Sequence, residues 1–346
     1  MGLTMVLHGY RQTAATWLLG FAIGLAPCVA MADAIISLTG PTSNAGDINL
    51  TTADGNYGGE ITIGGTTGYS LWGLLGGAKA ANPNSPIYGA ITTSTPPGLN
   101  GKNAILRYYL LATSTSGARS VISLGEIDPQ FSGGPSELVT VTGNTASLVF
   151  TNPGAGGRNV GSLASLQLLS APALSGPGGQ SAAVTLKGNV GHPGAYTLSD
   201  LESLPALGET VNGHAYTGVR FFDLVDPSNP DILDQYVVTA GTDGYEVVLS
   251  LAELDPALGA STAPNEVDLV PCADASIPSD FPGDGVARTI LPGDENFAHG
   301  RWESNLDLIE VGTVPEPATM PLLVLGLAGF WLVARRRRAL SGTIPI

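Results

Sequence analysis

The feature that most constrains the fold of this chain is a segment that occurs twice. Residues 105–129 read ILRYYLLATSTSGARSVISLGEIDP, and residues 232–256 read ILDQYVVTAGTDGYEVVLSLAELDP. The two align without a gap at an offset of 127 and share 11 of 25 residues. Flanking pairs keep the same order, with Thr67-Gly68 matching Thr217-Gly218 and Gly157-Arg158 matching Gly300-Arg301. The sequence therefore predicts two tandem copies of one unit of about 130 residues.

The rest of the chain divides around these two copies. The predicted regions are a signal peptide (1–32), a first repeat (34–170), a Gly/Pro/Ser linker (171–182), a second repeat (183–313), a sorting tail (314–338) and a cytoplasmic tail (339–346). The linker reads APALSGPGGQSA, a composition typical of connections between domains.

Composition and local pattern predict an α+β fold that is mainly β. With 47 Gly and 25 Pro the chain is a poor helix former, while 43% apolar residues favour a folded core. In the second copy we predict a strand over 183–188, a capping box of Ser199 with Glu202, and a hairpin of strands 236–240 and 245–249. Ser250 with Glu253, and Ser123 with Glu126, repeat the helix-capping pattern after the hairpins.

Charge excludes one class of partner. Residues 33–314 contain nine Lys and Arg against 28 Asp and Glu, and residues 180–314 alone contain four against 21. Such a body would repel the phosphates of a nucleic acid, so no nucleic-acid binding is expected.

Both ends of the chain have the pattern of a targeting segment. Arg11 precedes the apolar run 14–29, which small residues follow, as in a secretory signal peptide. Near the C-terminus, residues 318–334 are uncharged and long enough to cross a bilayer core as a helix. Arg335, Arg336, Arg337 and Arg338 follow at once and would stop transfer on the cytoplasmic side.

A sorting motif stands directly before this apolar span. Val314, Pro315, Glu316 and Pro317, followed by the span and the Arg cluster, resemble the PEP-CTERM sorting tail. That resemblance implies recognition by exosortase in a Gram-negative bacterium that makes extracellular polysaccharide, and cleavage near Pro315–Pro317. It implies secretion machinery and exosortase as partners, the membrane as an anchor before processing, and polysaccharide as a possible ligand.

The second copy resembles a second family. The segment YTLSDL (196–201), Thr217-Gly218-Val219, Thr242-Asp243-Gly244-Tyr245 and Gly300-Arg301-Trp302 are similar to the oxidoreductase molybdopterin-binding domain, the sulfite-oxidase-type fold. The resemblance implies a cysteine thiolate on molybdenum and basic side chains on the pterin phosphate. Residues 204–218 contain no cysteine and Cys272 lies elsewhere, so we expect no cofactor and no catalytic residue.

Two further candidate sites have simpler interpretations. Cys272 is expected to be a buried apolar residue. The acidic loops around Asp226 to Asp234 and Asp280 to Asp284 could bind calcium but lack the EF-hand spacing, and no metal site is predicted.

Arg158 and Arg301 follow Gly at equivalent positions of the two copies, which suggests one structural role. We predict that each binds a carboxylate within its own copy. The candidate carboxylates are Glu126 and Asp128 in the first copy and Glu253 and Asp255 in the second.

Together these features favour an exported, exosortase-processed protein of the cell surface or extracellular matrix with a non-catalytic binding or structural role. Two alternatives remain, a periplasmic molybdopterin-dependent oxidoreductase and a calcium-dependent surface adhesin.

Overall fold

A computed structural model describes residues 33–42, 45–53, 57–76, 104–132, 136–211, 214–258, 268–270, 285–291 and 299–314. The predicted signal peptide, Cys272, Pro315 to Pro317, the predicted membrane span and Arg335 to Arg338 lie outside these residues. Within the part that is described, no helix has the length and apolar character needed to cross a membrane.

The N-terminal half (residues 33–170) consists of strands and short helices. Its strands are β1 Ile35–Thr39, β2 Gly46–Asn49, β3 Glu60–Ile63, β4 Thr66–Ser70, β5 Tyr108–Ser114, β6 Arg119–Ser123, β7 Glu137–Thr142, β8 Thr145–Phe150 and β9 Leu163–Ser170. Its helices are α1 Leu71–Gly76, α2 Leu124–Ile127 and α3 Pro129–Ser132, with 3-10 turns at Ala104–Arg107 and Ala155–Arg158.

The C-terminal half (residues 183–314) has the corresponding elements in nearly the same order. Its strands are β10 Val184–Gly188, β11 Gly194–Tyr196, β12 Ala206–Val211, β13 His214–Arg220, β14 Gln235–Gly241, β15 Glu246–Ser250, β16 Asp268–Val270, β17 Arg288–Ile290 and β18 Leu306–Thr313. Its helices are α4 Leu198–Glu202, α5 Phe221–Val225 and α6 Leu251–Leu254, with 3-10 turns at Ile232–Asp234 and His299–Arg301. The prediction of a mainly β, α+β fold is confirmed.

The two halves have the same sheet topology. One five-stranded sheet has the order β2-β1-β9-β5-β6 and the other β11-β10-β18-β14-β15. In each, one pair is parallel, β1 with β9 and β10 with β18, and the other pairs are antiparallel. Each half adds a four-stranded antiparallel sheet, β3-β4-β7-β8 or β12-β13-β16-β17.

Irregularities recur at equivalent positions too. The pairing of β5 with β9 shifts register between Thr113 and Ser114, and that of β14 with β18 shifts between Ala240 and Gly241, 127 residues later. A bulge places an extra residue at one defined point of a strand pair, so its recurrence at equivalent positions indicates the same strand pairing in both halves.

Local sequence accounts for the hairpin and the caps. The predicted hairpin forms as β14 and β15 across a turn in which Gly244 has φ +76°. Ser250 and Glu253 form the expected capping box at α6. The capping box predicted at Ser199 is wrong: Thr197, two residues earlier, is the N-cap and pairs with Asp200. Thr197 has the extended backbone that a cap requires, so its hydroxyl reaches the amide of Asp200.

Two glycines let the central strands approach closely. Gly40 follows β1 at φ +109° and Gly188 ends β10 at φ +86°. A Cβ would lie 2.2 Å from the carbonyl oxygen of Leu168 at the first site and 2.0 Å from that of Val311 at the second. These contacts are equivalent in the two halves, and only glycine fits either site.

We expect Gly188→Ala to destabilise the fold by at least about 3 kcal/mol, since a left-handed backbone and a backbone clash add together. Gly143→Ala is the matched control, because Gly143 has φ +62° with nothing within 4 Å of the new Cβ. The control should cost about 1–2 kcal/mol in urea unfolding. Equal losses at the two sites would contradict the clash.

Candidate functional site

The two halves meet through their five-stranded sheets, and we call this contact the inter-half interface. Tyr109 of β5 stacks on Tyr236 of β14, with ring centroids 4.7 Å apart and planes 22° apart. These residues are equivalent in the aligned segments. The stack therefore joins one position of the N-terminal half to the same position of the C-terminal half.

A small apolar cluster surrounds the stacked rings. It contains equivalent side chains from both halves at most positions. Its buried members are Tyr109, Leu111, Val121, Ala171, Val238, Val248 and Val314, with Tyr236 packed against them. The offset of 127 relates Leu111 to Val238 and Val121 to Val248. The interface thus resembles a twofold contact between two units that are not identical.

Two ion pairs cross the interface at opposite sides. Arg107 Nε lies 2.5 Å from Glu246 Oε2, and Arg119 Nη2 lies 2.6 Å from Asp234 Oδ2. The Arg107 and Glu246 side chains are only 6% and 1% exposed. Position 107 is equivalent to 234, and 119 to 246, so the two bridges are reciprocal. Both arginines come from the N-terminal half and both carboxylates from the C-terminal half.

The arginines that the sequence singled out lie at the end of the same interface. Arg158 Nη2 is 2.8 Å from Glu126 Oε2, and Arg301 Nη2 is 2.9 Å from Glu253 Oε2. Each pair lies within one half. Both guanidinium groups are buried, and Arg158 also covers the ring of Phe150 at 4.2 Å.

Contacts also cross between the halves at these pairs. Ser123 donates to Glu253 at 3.0 Å, and the equivalent Ser250 donates to Glu126 at 3.4 Å. Arg158 Nη2 donates to Ser250 at 3.0 Å. A Cβ on Gly125 would lie 2.8 Å from Cδ of Arg301, so the Arg301 stem crosses a helix of the other half. We call Arg158, Arg301, Glu126, Glu253 and their serines the ionic cluster.

The other two predicted carboxylates have different positions. Asp128 is buried at the C-terminus of α2, where its backbone N–H donates to the carbonyl of Leu124. Asp255 is buried at the C-terminus of α6 and accepts a hydrogen bond of 2.8 Å from the amide of Ala257.

Glu137 of β7 is another buried carboxyl, and it lies close to Glu126 and Arg158 of the ionic cluster. It accepts hydrogen bonds from the hydroxyl and amide of Ser136. Burial raises the pKa of Glu137 to about 8, with repulsion from Glu126 adding to the effect. Burial also raises the pKa of Glu253 to about 7, against the attraction of Arg301. Glu137 therefore tends to retain its proton at neutral pH.

Val314 joins the sorting motif to the interface. Its side chain is 3% exposed within the apolar cluster, and its amide donates to the carbonyl of Asp234 at 3.0 Å. Ala171, which begins the linker, has the equivalent place: its amide donates to the carbonyl of Arg107 at 3.0 Å. Each half thus ends at the same point of the inter-half interface.

The linker itself follows the C-terminal half closely. Leu174 donates its amide to Glu246, and Gly178 donates its amide to the carbonyl of Thr242 at 2.7 Å. Residues 171–182 contain no helix or strand but are bound to the β14–β15 hairpin.

The predicted acidic loop from Asp226 to Asp234 is divided: Asp234 pairs with Arg119 in the interface, while Asp226 is exposed. His192 Nε2 is 3.8 Å from Asp226 Oδ2, and both side chains are exposed. Asn229 accepts a hydrogen bond from the amide of Asp231, a turn contact within the acidic loop. In the described ranges no group of three or more His, Cys, Asp or Glu is arranged to hold a metal ion. The loop from Asp280 to Asp284 lies outside those ranges.

Sequence reasoning missed the two ion pairs that cross the interface. The signal was present: the alignment sets Arg107 against Asp234 and Arg119 against Glu246, with opposite charge at equal positions. In a reciprocal contact between two unlike halves, opposite charges at equivalent positions allow both ion pairs to form. Glu137 carried no such signal, because its burial depends on where β7 lies relative to the ionic cluster.

Comparison with known protein families identified one match. Residues 313–338 match the PEP-CTERM protein-sorting motif, as the sequence predicted. This motif is recognised by exosortase and implies export to the cell envelope or surface. No curated protein matches the chain.

The stability of the fold should fall as pH rises. In the folded protein the pKa values of Glu137 and Glu253 lie above the ordinary value of 4.5. The protonated carboxyls therefore make their full contribution to stability below about pH 4.5. It is lost as pH rises through about 7 to 8. Glu137→Gln imitates the protonated carboxyl. Relative to the wild type, the variant should gain on the order of 1 to a few kcal/mol between about pH 5 and pH 9 in urea unfolding.

The control for this titration is Glu60→Gln, on the exposed side of β3. Its difference from the wild type should not change with pH. If the free energy of unfolding of Glu137→Gln also differs from that of the wild type by the same amount at every pH, Glu137 does not hold a buried proton.

Arg158→Met should cost about 3–5 kcal/mol, because it leaves the carboxylate of Glu126 without its guanidinium partner at a buried site. Adding Glu126→Gln should recover part of the loss, since the second change removes the unpaired charge. The matched control is Lys187→Met, whose pair with Glu310 is exposed and should contribute within about 0.5 kcal/mol. A double variant no more stable than Arg158→Met would contradict the pairing.

Proposed function

We propose that this exported protein is processed by exosortase and has a non-catalytic binding or structural role at the cell surface or in the extracellular matrix. In this proposal the chain is a duplicated sulfite-oxidase-type unit that has lost molybdenum chemistry. The span after Val314 anchors it until the tail is removed, and extracellular polysaccharide is its candidate ligand.

The observation that carries the proposal is how the body uses its basic side chains. Five of those described form ion pairs with carboxylates of the same chain: Arg107, Arg119, Arg158, Lys187 and Arg301. Arg288 is buried and its Nη2 is 3.5 Å from Ser304 Oγ. These cations stabilise the fold and its interface, so they are poorly placed to bind an anionic cofactor or substrate.

The region expected to supply a molybdenum ligand also fits the group poorly. In the resembling family the ligand cysteine precedes the Gly-Val element, which here is Gly218-Val219. Here β12 and β13 pair antiparallel in continuous register, from Ala206 with Val219 to Val211 with His214. The sequence of this region contains no cysteine, so it offers no thiolate for a soft metal centre. We derive no reaction step through molybdopterin.

The proposed duplication is supported by structural details that the two halves share and that a five-stranded sheet can form without. Strand order, the parallel pair, the bulge and the close-packed glycine recur in both halves. Two equivalent residues, Ser162 and Asn305, also share positive φ values of 51° and 53°. A common ancestor of the two halves explains all of these together.

The test is to express the chain in a bacterium that has exosortase and to characterise the mature protein. We expect the mature form to lack Arg335 to Arg338 by mass spectrometry and to carry no stoichiometric molybdenum. Replacing Pro315 and Glu316 with Ala should leave the tail attached, while the matched change of Pro172 to Ala in the linker should not. Stoichiometric molybdenum would overturn the non-catalytic role, and an unprocessed wild type would overturn the exosortase step. A thermal shift on calcium chelation would instead favour the adhesin hypothesis.

A further inference from the structure

The apolar centre of the inter-half interface does not distinguish one half from the other. Tyr109 stacks on its own equivalent, Tyr236, and Val121 and Val248 are the same residue type. The serine contacts are likewise reciprocal, from Ser123 to Glu253 and from Ser250 to Glu126. By these contacts alone, either half could pair with a second copy of itself.

The ion pairs that cross the interface do distinguish the halves. In the observed pair Arg107 meets Glu246 and Arg119 meets Asp234. Because the contact is reciprocal, two N-terminal halves would set position 107 of one against position 119 of the other, arginine against arginine at both sites. Two C-terminal halves would set Asp234 against Glu246 twice. Like charges at a buried site repel and lose their hydration, so both self-pairings are disfavoured.

We propose that this face is a charge-sorted recognition surface: the basic face of the N-terminal half binds the acidic face of the C-terminal half of the same chain, and neither binds its own kind. The sorting resides in four side chains, Arg107, Arg119, Asp234 and Glu246. Recognition therefore depends on these charges. The linker raises the local concentration of one half near the other, and Leu174 of the linker also donates a hydrogen bond to Glu246.

The linker allows a direct test on the whole chain. A protease site inserted between Gly179 and Gln180, where both residues are exposed, lets the folded chain be cut after purification. We expect the cut halves to co-elute as one species of unchanged mass in size-exclusion chromatography with light scattering. The uncut chain should be a monomer.

Charge reversal separates recognition by charge from simple apolar adhesion. Arg107→Glu with Arg119→Glu should weaken the association of the cut halves by at least about 100-fold, because two opposite-charge contacts become like-charge contacts. Adding Asp234→Arg and Glu246→Arg to the same chain should restore co-elution. The control is Lys187→Glu with Glu310→Lys, which reverses an exposed pair within one half and should change nothing.

A milder pair keeps the test valid if the buried reversals prevent folding. The Arg119 and Asp234 side chains are 7% and 21% exposed, so this bridge is the more accessible of the two. Arg119→Asp alone should loosen the cut halves, and Arg119→Asp with Asp234→Arg should restore them. If the single reversal leaves the halves together, or the compensating change fails to restore them, charge sorting is overturned. A dimer of uncut wild-type chains that the reversals dissociate would overturn the assignment to the same chain.

Discussion

One face of each five-stranded sheet packs against the other half, through stacked tyrosines, apolar side chains and two ion pairs. Each five-stranded sheet has one face in the larger core and presents Tyr109 or Tyr236 from its other face to the opposite half. Neither face could be left in water at low cost, because each carries apolar side chains beside buried ionic groups. The ionic cluster at one end and the crossing ion pairs then fix how the two apolar faces align, since each charge needs its partner in the other half or beside it.

Part of the uneven charge of the chain serves the contact between the halves. The C-terminal half carries most of the acidic residues, and two of them, Asp234 and Glu246, are the partners of arginines in the N-terminal half. Buried arginines placed in this way orient and stabilise the fold. The sorting motif at residues 313–338 directs export, while the interface holds the two halves together.

Short-range features were predictable from the sequence, and long-range ones were not. The β14–β15 hairpin and the Ser250 cap follow from residues within a few positions of each other, so pattern alone was enough. The sequence placed the cap of α4 at Ser199 because Ser199-Glu202 has the same spacing as Thr197-Asp200. Only the backbone geometry shows that Thr197 is the N-cap. The alignment identified equivalent residues but not facing ones, which is why the bridge from Arg107 to Glu246 and the burial of Glu137 were missed.

The position of Val314 has a mechanical consequence for a protein held by its C-terminus. Val314 directly follows β18, which is hydrogen-bonded to β10 on one side and to β14 on the other. A pull along the chain at this point would load those two ladders in shear, so many hydrogen bonds would have to yield together. The same pull would act on the buried side chain of Val314, which packs in the apolar cluster with the stacked tyrosines. In the anchored form that we propose, tension would thus enter the body through an interior strand of its sheet, where the fold is best able to resist it.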